Sequence, residues 1–216
     1  MNQLLAGFRY IQSNFAQVAQ LTGQHLFLTL VSLAISLAIA LPLGVLLARV
    51  KELRAPVIGL LSVIYTIPSL SLLVLLIPFF RLGPQTAIIA LVAYAQLVLV
   101  RNILLGLTNI DPAVLEAARG MGMNSWQLFI RVELPLAMPL IVSGVRIATL
   151  SIIGIGTIAA YINAGGLGTL LFRGLTTGQR GQIVAGCIAV ATLALLTNQL
   201  LRMVERRVAM TVRDDG

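Results

Sequence analysis

Residues 26–48 read LFLTLVSLAISLAIALPLGVLLA, a run without one charged side chain. A helix rises about 1.5 Å per residue, so a run of this length crosses the roughly 30 Å of hydrocarbon in a bilayer. The run is continuously apolar rather than alternating, which selects a helix over a barrel strand. Four more segments repeat the pattern, at 57–80, 87–107, between 136 and 162, and at 182–201. The expected fold class is therefore an all-α membrane protein with five transmembrane helices.

Composition points the same way. Of 216 residues 58% are hydrophobic and 10% are charged, and mean hydropathy is +0.98. A soluble domain carries about 25% charged residues, so lipid is the expected solvent. The net charge of +8 does not mark a nucleic-acid binder. Lys51 is the single lysine, the arginines sit mostly at the ends of apolar runs, and no basic stripe interleaves with aromatics. Cys187 stands alone in an apolar run, which excludes an internal disulfide and predicts a buried, inert thiol. The triplet Ala38-Ile39-Ala40 lies inside the first run rather than after it, so the run reads as a retained span and not a signal peptide.

Charge asymmetry orients the spans. With the N-terminus outside, the inner side holds Arg49, Lys51, Arg54, Arg101, Arg119, Arg131, Arg146, Arg202, Arg206, Arg207 and Arg213. The outer side holds Arg9, Arg81, Arg173 and Arg180. This is the sense of the positive-inside rule, and an odd number of spans leaves the C-terminus in the cytoplasm. The acids, Glu52, Asp111, Glu116, Glu133, Glu205, Asp214 and Asp215, fall inside on the same topology. Before the first span, Phe8, Ile11, Phe15, Val18 and Leu21 recur three to four apart, so residues 1–25 are expected to form an interfacial amphipathic segment. Residues 26–206 are the transmembrane domain and 207–216 a cytoplasmic tail.

One polar interval looks like structure. Residues 111–135 read DPAVLEAARGMGMNSWQLFIRVELP. Asp111 suits an N-cap and Pro112 the first helical position. Gly120 is expected to stop this helix as its C-terminal cap, with a second sharp turn at Gly122. Asn124 or Ser125 can cap a second short helix over 126–131, and Pro135 restricts Leu134 and opens the next span. Two short helices joined by a glycine elbow make a candidate docking element on the cytoplasmic side. A solvated loop touching only its own bundle is the competing reading.

Glu116-Ala117-Ala118, Gly120 and Leu134-Pro135 resemble the EAA motif of bacterial ABC importer permeases. Thr66-Ile67-Pro68-Ser69-Leu70, Arg101-Asn102, Arg131-Val132-Glu133 and Ala164-Gly165-Gly166-Leu167-Gly168 resemble the osmoprotectant branch of that family, over roughly residues 26–206. The resemblance implies a type I importer permease fold, built for glycine betaine, choline or carnitine. It implies that residues 111–135 are the coupling segment, with Glu116, Ala117, Ala118, Gly120, Met121, Gly122 and Trp126 meeting an ATPase subunit. The implied partners are ABC ATPase subunits, a second permease (identical or not), an extracytoplasmic substrate-binding protein and the bilayer of the bacterial cytoplasmic membrane, with no nucleic acid. No Gly-Lys-Ser/Thr cluster surrounds Lys51, so this chain lacks the lysine of a nucleotide-binding P-loop. ATP and magnesium then belong to the partner, and no cofactor, metal or catalytic residue is expected here. A type I permease for another small solute, such as an amino acid, remains the alternative.

Five helices are too few to enclose a gated path, which also argues for a second permease. Pro68, in mid-span, is expected to kink its helix and free a carbonyl near Thr66 and Ser69. Tyr65, Thr66, Pro68, Ser69, Gln96, Thr149 and Ser151 are the candidate path residues, with interhelical hydrogen bonding as the competing role for each polar side chain. Gly165, Gly166 and Gly168 make a tight, mobile backbone at the outer mouth, a candidate outer gate or binding-protein contact, against a plain interhelical turn. His25 reads as an interfacial residue at a membrane edge. Arg146, inside the fourth segment, is read as snorkelling to the cytoplasmic interface. With Trp126 cytoplasmic and the tyrosines scattered, no aromatic cage for a quaternary ammonium is evident. Substrate selection is therefore assigned to the separate binding protein. An intramembrane enzyme is disfavoured because the expected spans hold no Asp or Glu and His25 is terminal. An ion channel is disfavoured because no ring of charge or filter is recognisable.

Overall fold

In a computed structural model, residues 2–214 are described; Asp215, counted above among the inner acids, lies outside them. The described residues form helices joined by short turns, with no strand among them. A first helix, α1 (Asn2–Ser13), leads into α2 (Phe15–Arg49). After a 3₁₀ turn come α3 (Arg54–Thr66), α4 (Ser69–Phe80) and α5 (Pro84–Thr108). Two short helices, α6 (Pro112–Gly120) and α7 (Ser125–Leu128), precede α8 (Leu134–Ala159), and α9 (Gly168–Thr177) and α10 (Arg180–Asp214) complete the chain.

Among the described residues, four helical stretches are long and apolar enough to cross a membrane: Phe15–Arg49, Pro84–Thr108, Ser125–Ile162 and Arg180–Met210. The fifth expected span is not one rod. Residues 57–80 divide into α3 and α4, which meet at 96°. Pro68 lacks an N–H and pushes Ile67 out of the helical region, to φ −65°, ψ 128°. The carbonyl that the break releases, on Ile67, accepts from the Tyr94 hydroxyl on α5.

The interfacial segment expected over 1–25 also divides differently. α1 ends at Ser13, and Phe15 already begins the long α2. A helix of 35 residues measures about 52 Å, more than the hydrocarbon needs, so its outer turns extend beyond the apolar run. At the other end, α10 continues well past residue 201 instead of stopping there.

α5 lies at the centre, packed on α2 and α8, while α3 and α4 lean on its other side. Leu91, Ala95, Leu99, Val100 and Ile103 of α5 are buried against Ala40 and Leu47 of α2 and Ala137, Ile141, Ala148 and Ile152 of α8. Small residues set these distances: a Cβ on Gly144 would lie 2.5 Å from the Asn102 side chain. Close approach of backbones through small residues is how helices associate in lipid, where no hydrophobic force drives them together.

α10 touches the bundle through one face, against α1, α8 and α9. Its other face carries Leu195, Leu196, Leu200 and Met203, each more than half exposed. Water does not tolerate such a continuous apolar surface, so lipid or another membrane helix covers it. Cys187 lies on this helix and is exposed, not buried as its apolar neighbours suggested. In lipid, an apolar sequence does not distinguish the inward face of a helix from the outward one.

Candidate functional site

The 111–135 interval folds as a projecting knob. The Asp111 carboxylate accepts from the Ala113 N–H at 2.9 Å, which caps α6. α6 does not end at Gly120 in a left-handed cap, as the sequence suggested. Gly120 is the last helical residue, and Gly122 takes the left-handed conformation at φ +82°. Gly122 N–H then donates to Arg119 O at 2.9 Å and Met123 N–H to Ala118 O at 3.3 Å, the paired bonds of a Schellman ending. Asn124 opens α7 with a capping box, exchanging side-chain and backbone bonds with Gln127.

The second short helix does not stop at residue 131. A π-helical turn over Phe129–Glu133 carries it into α8, and Leu134 is helical although Pro135 follows it. The wider turn has Leu134 N–H donate to Phe129 O, five residues back. Such a turn shifts the hydrogen-bond register where Pro135 has no N–H to offer. The second helix of the knob thus runs into α8 without a break in the helix.

Ala118 is the anchor of the knob, 2% exposed. Glu116, Ala117, Gly120 and Gly122 face outward. Met121 and Trp126 are 73% and 71% exposed, large apolar groups offered to solvent or to a partner. Behind them, both terminal nitrogens of Arg49 on α2 bind the buried Glu133 carboxylate, and the Arg49 guanidinium lies 5.8 Å from the centre of the Phe129 ring. This ion pair ties the end of α2 to the base of the knob. It involves a carboxylate that sequence reading assigned only to a cytoplasmic loop.

The candidate path residues separate into two groups. Tyr65, Thr66, Pro68 and Ser69 gather at the α3–α4 break. There the Tyr65 ring meets Tyr94 edge-on at 6.0 Å, and Thr66 donates to its own helix at Val63 O. Gln96 and Thr149 are buried inside the bundle. Gln96 Nε2 donates to Ser36 O at 3.3 Å, Thr149 to Val145 O at 2.7 Å, and Ser151 to Ile147 O at 3.1 Å. Gln96 Oε1 and Ser32 Oγ are buried without partners among the described residues.

At the opposite end from the knob, the glycine loop is hydrogen-bonded to α2. Gly165 and Gly166 sit at φ +82° and +77°, a conformation that a Cβ disfavours. Gln24 Oε1 accepts from Gly166 N–H at 3.1 Å. His25, fully buried, accepts at Nδ1 from Leu167 N–H at 3.3 Å and pairs at Nε2 with Ile153 O at 3.1 Å. A carbonyl only accepts, so Nε2 carries the hydrogen and the ring is the neutral Nε2–H tautomer. The interfacial role expected for His25 is thereby corrected: it is a buried strut joining α2, α8 and the loop. The sequence offered one missed signal, a lone polar ring beside an otherwise apolar run. A Cβ on Gly168 would collide with the Thr157 carbonyl oxygen, so α9 can start only because this residue lacks a side chain.

Arg146 is tied to a second helix. It donates to Glu205 and Asn198 on α10, and its side chain is 26% exposed.

Comparison with known proteins supplies context for this geometry. The family described as binding-protein-dependent transport system inner membrane component matches residues 40–210. A glycine betaine/carnitine/choline transport system permease protein of Bacillus subtilis (strain 168) is 36% identical over 208 residues, covering 96% of this chain and 94% of that protein. An osmoprotectant import permease protein of Salmonella typhimurium is 39% identical over 201 residues, covering 91% of this chain and 94% of that one. Among solved structures, a methionine ABC transporter in inward-facing conformations aligns with TM-score 0.79 and 27% identity, over 90% of this chain and 97% of that one.

Proposed function

The chain belongs to the family of binding-protein-dependent transport system inner membrane components, and from that premise we propose that it is the permease subunit of an ATP-driven importer of quaternary-ammonium osmoprotectants. The cargo class is that of the relatives, named for glycine betaine, carnitine, choline and osmoprotectants, which match along nearly the whole chain. The structural likeness to a methionine transporter leaves the cargo open, since the fold serves unlike solutes.

The observation that carries the reading is the knob at 111–135. It is a capped helix pair whose second helix runs unbroken into α8, tied to α2 by Arg49 and Glu133, with Met121 and Trp126 exposed at its surface. A rigid projection of this kind transmits displacement from a partner to the helices that bear it. In this reading Glu116, Ala117, Ala118, Gly120, Met121, Gly122 and Trp126 meet a separate ATPase subunit, which binds ATP and magnesium. The N-terminus is outside the cell and the C-terminus in the cytoplasm of a bacterium, with five crossings if the bent α3–α4 pair is one of them. A second permease covers the apolar face of α10 or completes the path beside Tyr65, Thr66, Pro68 and Ser69. A binding protein delivers solute to the end that holds Gly165, Gly166 and Gly168.

The test is uptake by vesicles containing this permease, its ATPase and its binding protein. Radiolabelled glycine betaine, choline and carnitine should enter in an ATP-dependent way, and methionine should not. Uptake of methionine but none of the three would sink the cargo assignment, and uptake without any ATPase subunit would sink the mechanism.

A further inference from the structure

Two cavities at the knob end of the bundle share a wall. The first, about 610 Å³, is an apolar groove lined by Leu41, Val45, Leu46, Ile103, Phe129 and Ile141 among others, and it ends at Arg49 and Leu107. The second, about 460 Å³, begins at the same Arg49 and Leu107 and is lined by Lys51, Arg54, Arg119 and Glu133. The groove follows α2 from residue 41 to 49, about 12 Å of helix axis. Its rim is open, with Leu41 39% and Leu46 45% exposed.

The charges of the second cavity are unbalanced. Four cations line it against one carboxylate. Glu133 is consumed by Arg49. Arg54 gives Nε to Leu47 O at 2.8 Å and Nη2 to Ala48 O at 2.9 Å, closing the end of α2. The Lys51 and Arg119 residues are exposed, and their side chains have neither hydrogen bond nor ion pair among the described residues.

We propose that these joined cavities hold one anionic phospholipid, with its phosphate on Lys51 and Arg119 and an acyl chain along the α2 groove. Both ends of the occupant are prescribed. A free phosphate leaves the apolar groove unfilled, and an apolar helix seated there brings no charge for the two unpaired cations beside it. A lipid with a charged head and a long chain satisfies both, at the membrane depth where basic side chains meet anionic headgroups. The bound lipid bridges α2, through the groove, to Arg119 on the knob. It therefore braces the same joint as the Arg49–Glu133 pair, whichever solute the protein carries.

The experiment uses the assembled transporter in nanodiscs that mix phosphatidylcholine with phosphatidylglycerol. A phosphatidylglycerol probe with a diazirine in its acyl chain is photolysed and its attachment sites are mapped. Attachment should concentrate on Val45, Leu46 and Phe129. Native mass spectrometry should show phosphatidylglycerol retained over phosphatidylcholine. That preference should fall on the order of tenfold in a Lys51→Gln/Arg119→Gln variant, in keeping with the attraction of two basic side chains for an anionic lipid. Labelling spread evenly over the apolar helix faces outside the groove as well, or equal retention of the two lipids by the unaltered protein, overturns the proposal. So does cross-linking of Leu46→Cys to a second permease, which would mean that protein fills the groove. The mapping needs no substituted protein, so a variant that fails to assemble does not shield the idea.

Discussion

Arg146 on α8 donates from Nε to a carboxylate oxygen of Glu205 on α10 at 2.8 Å, across 59 positions of sequence. Asn198 accepts a second bond from the same guanidinium at 3.3 Å. α10 touches the bundle through one face only, so this pair is one of its few polar attachments. Replacing Arg146 with Leu should lower stability by about 1–2 kcal/mol, the scale of a charge-assisted hydrogen bond. Glu205→Gln should cost less, because the amide oxygen still accepts. A double-substitution cycle, read by thermal unfolding in detergent, should show clear coupling; strictly additive effects would mean that the pair does not hold α10.

His25 joins three elements with one ring. Removing it leaves Leu167 N–H unpaired inside the bundle, while Ile153 O loses one donor and keeps the Thr157 hydroxyl at 3.0 Å. His25→Ala should therefore cost about 2–4 kcal/mol and make a cysteine placed at Ala164, which is 4% exposed, react faster with a water-soluble maleimide. His25→Gln, which keeps one donor and one acceptor, should lose less. Unchanged labelling in the alanine variant would show that the glycine loop holds itself.

Gly168 and Gly120 are both in or beside segments assigned a role, yet their surroundings differ. A Cβ on Gly168 meets backbone, whereas nothing lies within 4 Å of one on Gly120. Gly168→Ala should cost about 3 kcal/mol or more through forced backbone movement, seen as reduced yield of folded protein. Gly120→Ala should match the parent's stability within about 0.5 kcal/mol. Equal stability of the two variants would refute the tight packing at Thr157.

The proposed coupling role makes a different demand. Glu116→Lys and Gly120→Leu alter the exposed face of the knob without touching its caps at Asp111 and Asn124. Both variants should reach the membrane in normal amounts, with uptake reduced at least about tenfold, a loss of about 1.4 kcal/mol of useful interaction. ATP hydrolysis should no longer respond to loaded binding protein. Full coupled uptake in both would remove residues 116–120 from the contact with the ATPase.

The caps of the knob were largely legible because they are local. Asp111 and Asn124 satisfy backbone groups within three residues of themselves, and short polar side chains before a helix carry that meaning wherever they occur. The glycine assignment slipped by two positions, because the sequence does not say which of Gly120 and Gly122 takes the left-handed conformation. Pro68 announced a kink. Its size, 96° between α3 and α4, was not legible, since it depends on Tyr94 of another helix capturing the Ile67 carbonyl. The burial of His25 and the exposure of Cys187 were both read the wrong way round, for one reason. Helices that are apolar on every side carry no stripe to say which face is inward.

By itself, the order of residues determined that this chain lives in lipid, that it is helical, and that a capped pair of short helices interrupts its apolar runs. Those properties follow from composition, span length and contacts a few residues apart. Only the folded arrangement decided that Glu133 serves Arg49, that Glu205 serves Arg146, that His25 supports the glycine loop, and that the cations after α2 surround one cavity. Each of these is a pairing of groups far apart in the chain, selected by how whole helices approach one another. Within a bilayer, that approach is settled by small residues and rare polar partners rather than by the apolar pattern that built the helices.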